Sequence, residues 1–342
     1  MEGGVRATTE GKNPIAVYGA SGHTGRFVIA ELRRRGLTSV AIGRDAQKLA
    51  GLHADAVHVA ALDDPAALER AFAGAAVIIN CAGPFLDTAA PVIAAALRAN
   101  ASYLDITAEQ QSARDSFSQY ANAAWRAGIK LVPAAGFYGA LADLLAHAAM
   151  RDWRDVDTVR THYALDRWHP TEGTRITGAR NNVPRVRLAN RALVEIGRAE
   201  GQRDWDFPAP FRHRKIEEIP FSEIVLLARD RRIADARSFI NASALADVRD
   251  PATPTRPEGR SREAFMVEVV VGRGAMQRRA AATGEDIYAV TAPIVVEAAV
   301  RIADGRTKVP GGGAFAPNDL FEPRDFLAAV AARYPGFHIN YC

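Results

Sequence analysis

Cysteine is scarce in this chain. Two residues in 342, Cys81 and Cys342, cannot supply a disulfide framework, so a reducing cytoplasm is the expected setting. Lysine is nearly as rare. Of 43 basic residues only five are lysines (12, 48, 130, 215 and 308) and 38 are arginines. None of the five has a tyrosine four positions earlier, so a Tyr-x-x-x-Lys pair is excluded as the catalytic device. The eight histidines form no H-E-x-x-H and no cluster with cysteine, so no metal is expected. No apolar run approaches the ~20 residues of a membrane span. Residues 1–13 are polar and without a secretion-signal core, and are expected to fray. Net charge is only +4. The arginine excess, alongside many alanines, reads as base-composition bias and not as a nucleic-acid surface. Arg33 to Arg35 suit the C-terminal end of a helix that Gly36 stops.

What the chain does have is concentrated near its start. Ile15 to Tyr18 reads as a buried strand, glycines follow at Gly19, Gly22 and Gly25, and a helical pattern begins at once. A strand, a glycine turn and a helix start form a phosphate-binding βα unit. Gly19 permits the sharp turn, Gly22 has no Cβ in the way of a pyrophosphate, and Gly25 lets helix and strand approach. Ser21, His23 and Thr24 lie in the same turn, where free N–H groups and the helix dipole favour an anion.

Further strands alternate with helices: Ser39 to Ile42, Ala56 to Leu62, Ala76 to Asn80, Ser102 to Ile106 and Ile129 to Val132. Six such strands predict an α/β fold with a doubly wound parallel Rossmann sheet. Arg44 follows the second strand, where an arginine accommodates the 2′-phosphate of NADP, and Lys48 comes one helical turn later. NADP(H) is therefore the expected cofactor, although Asp45 could equally bond a ribose or cap the next helix. Asp63, at the end of the third strand, and Cys81, Ala82, Gly83, Pro84 and Phe85, after the fourth, complete the expected cofactor contacts.

From about residue 153 the pattern changes to an inserted α+β, mainly antiparallel region. Strands are expected at Thr158 to Leu165, Glu223 to Leu227, Phe239 to Ala244 and Ala264 to Val271. A helix is expected at Val186 to Ile196, and irregular chain at 203–221. The expected domains are 13–150, joined by a returning segment 286–342 that includes helix Tyr288 to Ala303, and 151–285 for substrate and dimerisation. In Ala264 to Val271, Phe265, Val267, Val269 and Val271 share one face. The other face, with Met266, Glu268 and Val270, is left for solvent or for a homodimer interface.

The motifs G-A-S-G-H-T-G-R (19–26), G-R-D-A-Q-K-L (43–49), N-C-A-G-P-F (80–85), Y-L-D-I-T-A-E (103–109), P-A-A-G-F-Y (133–138) and D-I-Y-A-V-T-A (286–292) together resemble the saccharopine-dehydrogenase-like oxidoreductases, which include trans-acting enoyl reductases. The resemblance implies a second domain folded over the nicotinamide, often mediating dimers, with the C-terminal helix returning to the first. Ala108 departs from the glycine that many relatives carry before Glu109. Residues 160–280 match little, so the resemblance does not name a substrate.

The expected function is an NADPH-dependent reductase acting on an activated C=C, C=N or C=O bond of a small organic molecule. Two alternatives remain: a non-catalytic NADP(H)-sensing protein, and a saccharopine reductase-like C–N-forming dehydrogenase, which would use arginines such as Arg175, Arg180 and Arg185 for substrate carboxylates. Reduction also requires a proton. Tyr138, Tyr163, His162 and Asp105 are the candidate catalytic residues, with Tyr103 beside them. Cys81 reads as a small packing residue.

Overall fold

The computed structural model describes residues 14–197 and 201–342, so residues 1–13, expected to fray, lie outside it. The first sheet is built from β1 (Ile15–Tyr18), β2 (Ser39–Gly43), β3 (Ala56–Val59), β4 (Val77–Asn80), β5 (Ser102–Asp105) and β6 (Lys130–Val132). Between them run α1 (His23–Arg34), α2 (Ala46–Ala50), α3 (Pro65–Phe72), α4 (Phe85–Arg98) and α5 (Gln110–Ala127). All pairings in this sheet are parallel. β1 and β4 lie side by side at the switch point, and both are buried throughout, as a sheet covered on two faces requires.

Helix starts fall earlier than the apolar periodicity suggests. α1 begins at His23, directly after Gly22, and α4 at Phe85, directly after Pro84. In both cases the first turn is fixed by the preceding loop, which carries no apolar signal. Asp64 and Pro65 cap and open α3 as their order predicts.

After β6 a wide helical turn, Phe137–Leu141, leads into the fully buried α6 (Ala142–Met150). The second sheet then comprises β7 (Val156–Leu165), β8 (Val186–Ala189), β9 (Ala192–Glu195), β10 (Arg203–Asp206), β11 (His213–Glu218), β12 (Ile233–Asn241), β13 (Ala264–Arg273) and β14 (Met276–Glu285). Helices α7 (Glu172–Arg180), α8 (Glu223–Leu227) and α9 (Ala242–Arg249) punctuate it. β7 and β12 pair in parallel and the other pairs are antiparallel. The chain ends with α10 (Thr291–Ala303), β15 (Gly313–Ala314), α11 (Pro317–Leu320), α12 (Pro323–Arg333) and β16 (His338–Tyr341). β15 adds a seventh strand beside β6, while β16 joins the second sheet beside β14. Gly312 makes the first of these joins possible, since a Cβ there would sit 2.3 Å from the Ala124 carbonyl.

Several expectations for the second region fail for identifiable reasons. Val186 to Ile196 is not a helix but the β8–β9 hairpin. Asn190 and Arg191 both take positive φ, at 50° and 63°, the pairing that a tight two-residue hairpin turn demands. Glu223–Leu227 is a short buried helix, because a brief apolar run fits either structure equally well. Residues 203–221 are not irregular but hold the β10–β11 ribbon.

The spare face of β13 is neither solvated nor free for a partner. Met266 packs with Phe207, Phe211, Ile216 and Phe239, and Glu268 accepts from Trp205 Nε1 at 2.9 Å and Arg279 at 3.1 Å. One apolar core runs from β1 and α1 through α6 and α10 to β7 and β13, so the two sheets share an interior. Among the described residues no helix is long and apolar enough to cross a membrane, and no metal-binding cluster occurs.

Candidate functional site

The glycine turn has the geometry that its spacing predicts. Gly19 has φ +75°, and a Cβ on it would lie 2.8 Å from Ala82. A Cβ on Gly25 would stand 2.2 Å from the Gly19 carbonyl, so only glycine lets α1 cross the strand end there. Gly22 meets nothing closer than the Gly19 carbonyl at 3.2 Å, which leaves its outer side open. Gly22 is also the N-cap of α1, and α1 has neither a side-chain cap nor an acidic residue in its first turn. Its leading N–H groups are therefore left to a ligand, with a positive dipole behind them. Ser21 and Thr24 lie in the turn, and Arg26 closes it by donating to the Ser21 carbonyl at 3.0 Å. His23 packs edge-on against Phe27 and Tyr288, its Nε2 buried without a partner. Burial, reinforced by Arg256, holds its pKa down, so the ring is neutral.

At the end of β2, Asp45 is consumed as a cap. Its carboxylate accepts from Gln47 N and Lys48 N at 3.0 and 3.1 Å. Arg44 and Lys48 are exposed, and their side chains form no hydrogen bond or ion pair among the described residues. Asp63 is exposed nearby, and Arg44 and Asp63 act electrostatically on the same Tyr18 hydroxyl. Two free cations beside an open, glycine-lined helix start fit a dinucleotide carrying an extra phosphate.

The tips of β4 and β5 form a closed polar network. Asp105, wholly buried, accepts from Tyr103 Oη at 3.0 Å, Thr107 N at 3.0 Å and Ala134 N at 2.8 Å. Burial raises its pKa to about 6 against those hydrogen bonds. Tyr103 accepts in turn from Asn80 Nδ2, whose Oδ1 holds Ala82 N at 3.0 Å. Asp105 and Tyr103 thus shape the loops after β4 and β6 and have no polar atom left over. Glu109 is likewise structural. Its carboxylate caps α4 by accepting from Phe85 N at 2.6 Å and Leu86 N at 3.1 Å. Burial pushes the Cys81 thiol far above its ordinary pKa, so it is no nucleophile. Over Gly83 sits Thr177 of α7, whose Oγ1 would lie only 2.9 Å from a Cβ added to Gly83, and Arg180 pairs with Asp87 at 2.8 Å. The second region therefore covers the Gly83–Pro84 loop through α7.

The other wall of this crevice is aromatic. Tyr138, half-buried, has ring contacts with Phe221 at 4.2 Å, Tyr163 at 5.2 Å and Trp168 at 5.5 Å. Trp168 Nε1 donates to Tyr288 Oη at 3.2 Å, and Tyr288 also meets Thr174 Oγ1 at 3.0 Å. Through Tyr288 the aromatic wall touches His23 of the glycine turn. Tyr163 is fully buried behind Tyr138. His162 is not brought to the crevice. Neighbours in a strand face opposite sides, and His162 instead stacks on Trp205 at 3.7 Å, with burial lowering its pKa to about 3.

Sequence reasoning missed Glu223, Trp168, Tyr288 and Thr174. Glu223 is wholly buried beneath this wall, and burial lifts its pKa to about 7. A lone carboxyl directly before Ile224-Val225-Leu226-Leu227 was the available signal. The three arginines considered for substrate carboxylates are all occupied by the chain. Arg175 bonds the Thr253 carbonyl, Arg180 pairs with Asp87, and Arg185 donates to the Pro220 carbonyl at 2.8 Å.

An open glycine turn, a basic strand end and a crevice at the carboxyl ends of a parallel sheet define a dinucleotide-binding protein of the Rossmann class. Residues 15–132 match the family of saccharopine dehydrogenase NADP binding domains. The trans-acting enoyl reductase of Mycobacterium tuberculosis (strain ATCC 25618 / H37Rv) is 30% identical over 147 residues, covering 40% of this chain and 35% of that protein. The saccharopine dehydrogenase-like oxidoreductase of Mus musculus is 28% identical over 160 residues, covering 40% and 37%. The matches thus span little more than a third of these relatives' own length. At the level of fold the likeness is wider. The apo saccharopine dehydrogenase (L-Glu forming) of Saccharomyces cerevisiae superposes with a TM-score of 0.65 over 96% of this chain and 100% of that one, at 13% identity.

Proposed function

We propose that the protein is an NADP(H)-dependent oxidoreductase that reduces a polarised double bond in a small organic molecule. One observation carries this reading: the open start of α1 and the unpaired Arg44 face the same strand ends as the half-buried Tyr138. The glycine turn would hold the pyrophosphate, with Arg44 and Lys48 on the 2′-phosphate, and Gly83 and Pro84 would border the nicotinamide. The bound cofactor would supply hydride. Tyr138 would supply the proton from its hydroxyl, which lacks a hydrogen-bond partner among the described residues. Phe221, Trp168 and Tyr288 would exclude water, and α7 would close the mouth over Gly83.

The occupied Arg175, Arg180 and Arg185 speak against a dicarboxylic amino-acid substrate and favour a C=C or C=O bond. Two cysteines that form no disulfide support a reducing, cytoplasmic setting. The test is a fluorescence titration with NADPH and NADH, followed by a panel of enones, aldehydes and imines with NADPH. Preferential NADPH binding with turnover of one class is the expected result. Tight binding without turnover anywhere would favour the sensing protein instead.

A further inference from the structure

We propose that Trp168 to Arg180 is a lid over the cofactor crevice, and that Tyr288 is the positioning residue whose hydroxyl latches it shut. The inference rests on the reading of this crevice as the reducing site, with Tyr138 facing substrate. It begins from a contrast between two helices of equal length. α6 buries all nine of its residues, and α7 buries none. A nine-residue helix that contains Gly173 and Gly178 is marginal by itself. α7 therefore owes its place to a few polar contacts and not to an apolar face, which puts it at the low end of local stability.

Those contacts are unequal. Arg180 pairs with Asp87 at 2.8 Å, but both side chains are about half exposed, and such pairs contribute little. Arg175 donates to the Thr253 carbonyl, on the largely exposed loop before β13. Tyr288 Oη holds two points of the segment at once. It accepts from Trp168 Nε1 at 3.2 Å and shares a hydrogen bond with Thr174 Oγ1, in the first turn of α7, at 3.0 Å. Tyr288 itself stands on the fixed side. Asp286 accepts from Tyr288 N at 3.1 Å and Ala289 N at 3.0 Å. The buried Arg256 lies 5.3 Å from the Tyr288 ring centroid and pairs with Asp286 and Glu263, both at 2.7 Å.

What the lid covers is the reacting end of the crevice. Thr177 lies over Gly83, and the Tyr138 hydroxyl is sealed from solvent, so the wall around it must open for substrate. Of the rings packed on Tyr138, Tyr163 lies within β7 and Phe221 directly precedes the buried Ser222 and α8. Trp168, 5.5 Å away, instead leads into the weakly held α7. Tyr288 also touches the nucleotide seat. Its ring meets His23, the first residue of α1, edge-on at 5.2 Å. A ligand on the glycine turn that fixes His23 therefore favours the latched state through this contact.

Hydrogen–deuterium exchange of the full chain tests the lid without turnover. Residues 168–180 are expected to exchange at least about a hundredfold faster than residues 142–150, and saturating NADPH should slow them about tenfold. Tyr288→Phe keeps the ring against His23 and removes only the hydroxyl. It should speed exchange in 168–180 about tenfold and leave 142–150 unchanged, whereas Arg180→Ala should change it by about twofold at most. With cinnamaldehyde as probe and NADPH as reductant, Tyr288→Phe should raise KM about fivefold and alter kcat little, because the latch serves ground and transition states alike. Exchange in 168–180 as slow as in 142–150, or exchange that Tyr288→Phe leaves unmoved or spreads into 142–150, would overturn the latch. So would bound NADPH that slows nothing, or a Tyr288→Phe loss confined to kcat. If Tyr288→Phe does not fold, Thr174→Val removes the same bond from the lid side and decides through the same rates. If NADPH does not bind or no probe is reduced, the reductase reading falls, and exchange in wild type against Tyr288→Phe still decides the latch.

Discussion

Asp105 and Glu223 are both fully buried carboxyls, one at the tip of the first sheet and one beneath the second, yet their oxygens are used differently. Asp105 receives three hydrogen bonds from Tyr103, Thr107 and Ala134 and offers nothing further. Glu223 accepts from Phe221 N and Ser238 Oγ at one oxygen, while its other oxygen lies outside hydrogen-bond geometry of any donor among the described residues. Burial raises the pKa of both. A raised pKa alone therefore does not separate architecture from chemistry. The separation lies in whether the chain has already used every lone pair and proton.

The largest expected effects belong to the closed side. Asp105→Ala strips the acceptor from one hydroxyl and two backbone N–H groups at once. Each buried donor left unsatisfied costs about 1–3 kcal/mol, so urea unfolding should show a loss of roughly 3 kcal/mol or more. Gly25→Ala comes next. Its Cβ meets a backbone carbonyl at 2.2 Å, which cannot swing aside as a side chain can. About 2–3 kcal/mol of stability should be lost, together with NADPH binding, whereas Gly22→Ala should cost affinity and little stability. A Gly22→Ala protein as unstable as Gly25→Ala would show that the open side of the turn is packing and not a ligand seat.

Titration sharpens the same contrast. An acid whose folded pKa is raised stabilises the fold below its unfolded pKa, and that contribution is lost as pH rises through the folded value. For Glu223 the window runs from the ordinary glutamate value of 4.5 to about 7. Stability measured across it should fall by up to a few kcal/mol in wild type, and Glu223→Gln should flatten the slope. His147 gives a control with the same sign in a higher window. Burial opposes its charge, but Asp143 and Asp230 outweigh burial and lift its pKa to about 9. Its contribution is complete below the ordinary histidine value of 6.5 and is lost through about pH 9, and His147→Gln should remove that loss alone.

The two regions also differ in how far their sequences reveal them. In the first sheet the information is local. Continuous apolar strands, Asp64-Pro65 before α3 and the three glycines each have a single structural use. In the second region the deciding features are a turn and distant contacts. Asn190 and Arg191 turn a helix-like apolar pattern into a hairpin. Met266 and Glu268 read as a spare face because Phe207, Phe211 and Trp205, which cover them, come about sixty residues earlier. His162 and Tyr163 were nominated together, although a strand's period of two puts only one of them in the crevice. Glu223 was invisible for a similar reason. Its burial depends on residues such as Ser238 and Tyr163 that are distant in sequence.

The smallest effects are expected on the exposed cofactor side, where no packing is at stake. Arg44→Ala should weaken NADPH by about 2 kcal/mol, roughly thirtyfold in Kd, because a charge-assisted contact to phosphate is lost. NADH affinity and thermal midpoint should stay unchanged, since Arg44 forms no hydrogen bond or ion pair among the described residues. Equal losses for both cofactors would mean that Arg44 shapes the strand end instead of reading the phosphate. Lys48→Ala should do less. Lysine is a point charge on a flexible stem, so it lacks the fork that grips two phosphate oxygens. An exposed, mobile charge contributes about 0.5 kcal/mol, roughly twofold in Kd, and salt should erase it first. Fluorescence titrations of both variants at low and high ionic strength check the ranking. A Lys48→Ala loss larger than that of Arg44→Ala would move the phosphate from the end of β2 to the first turn of α2.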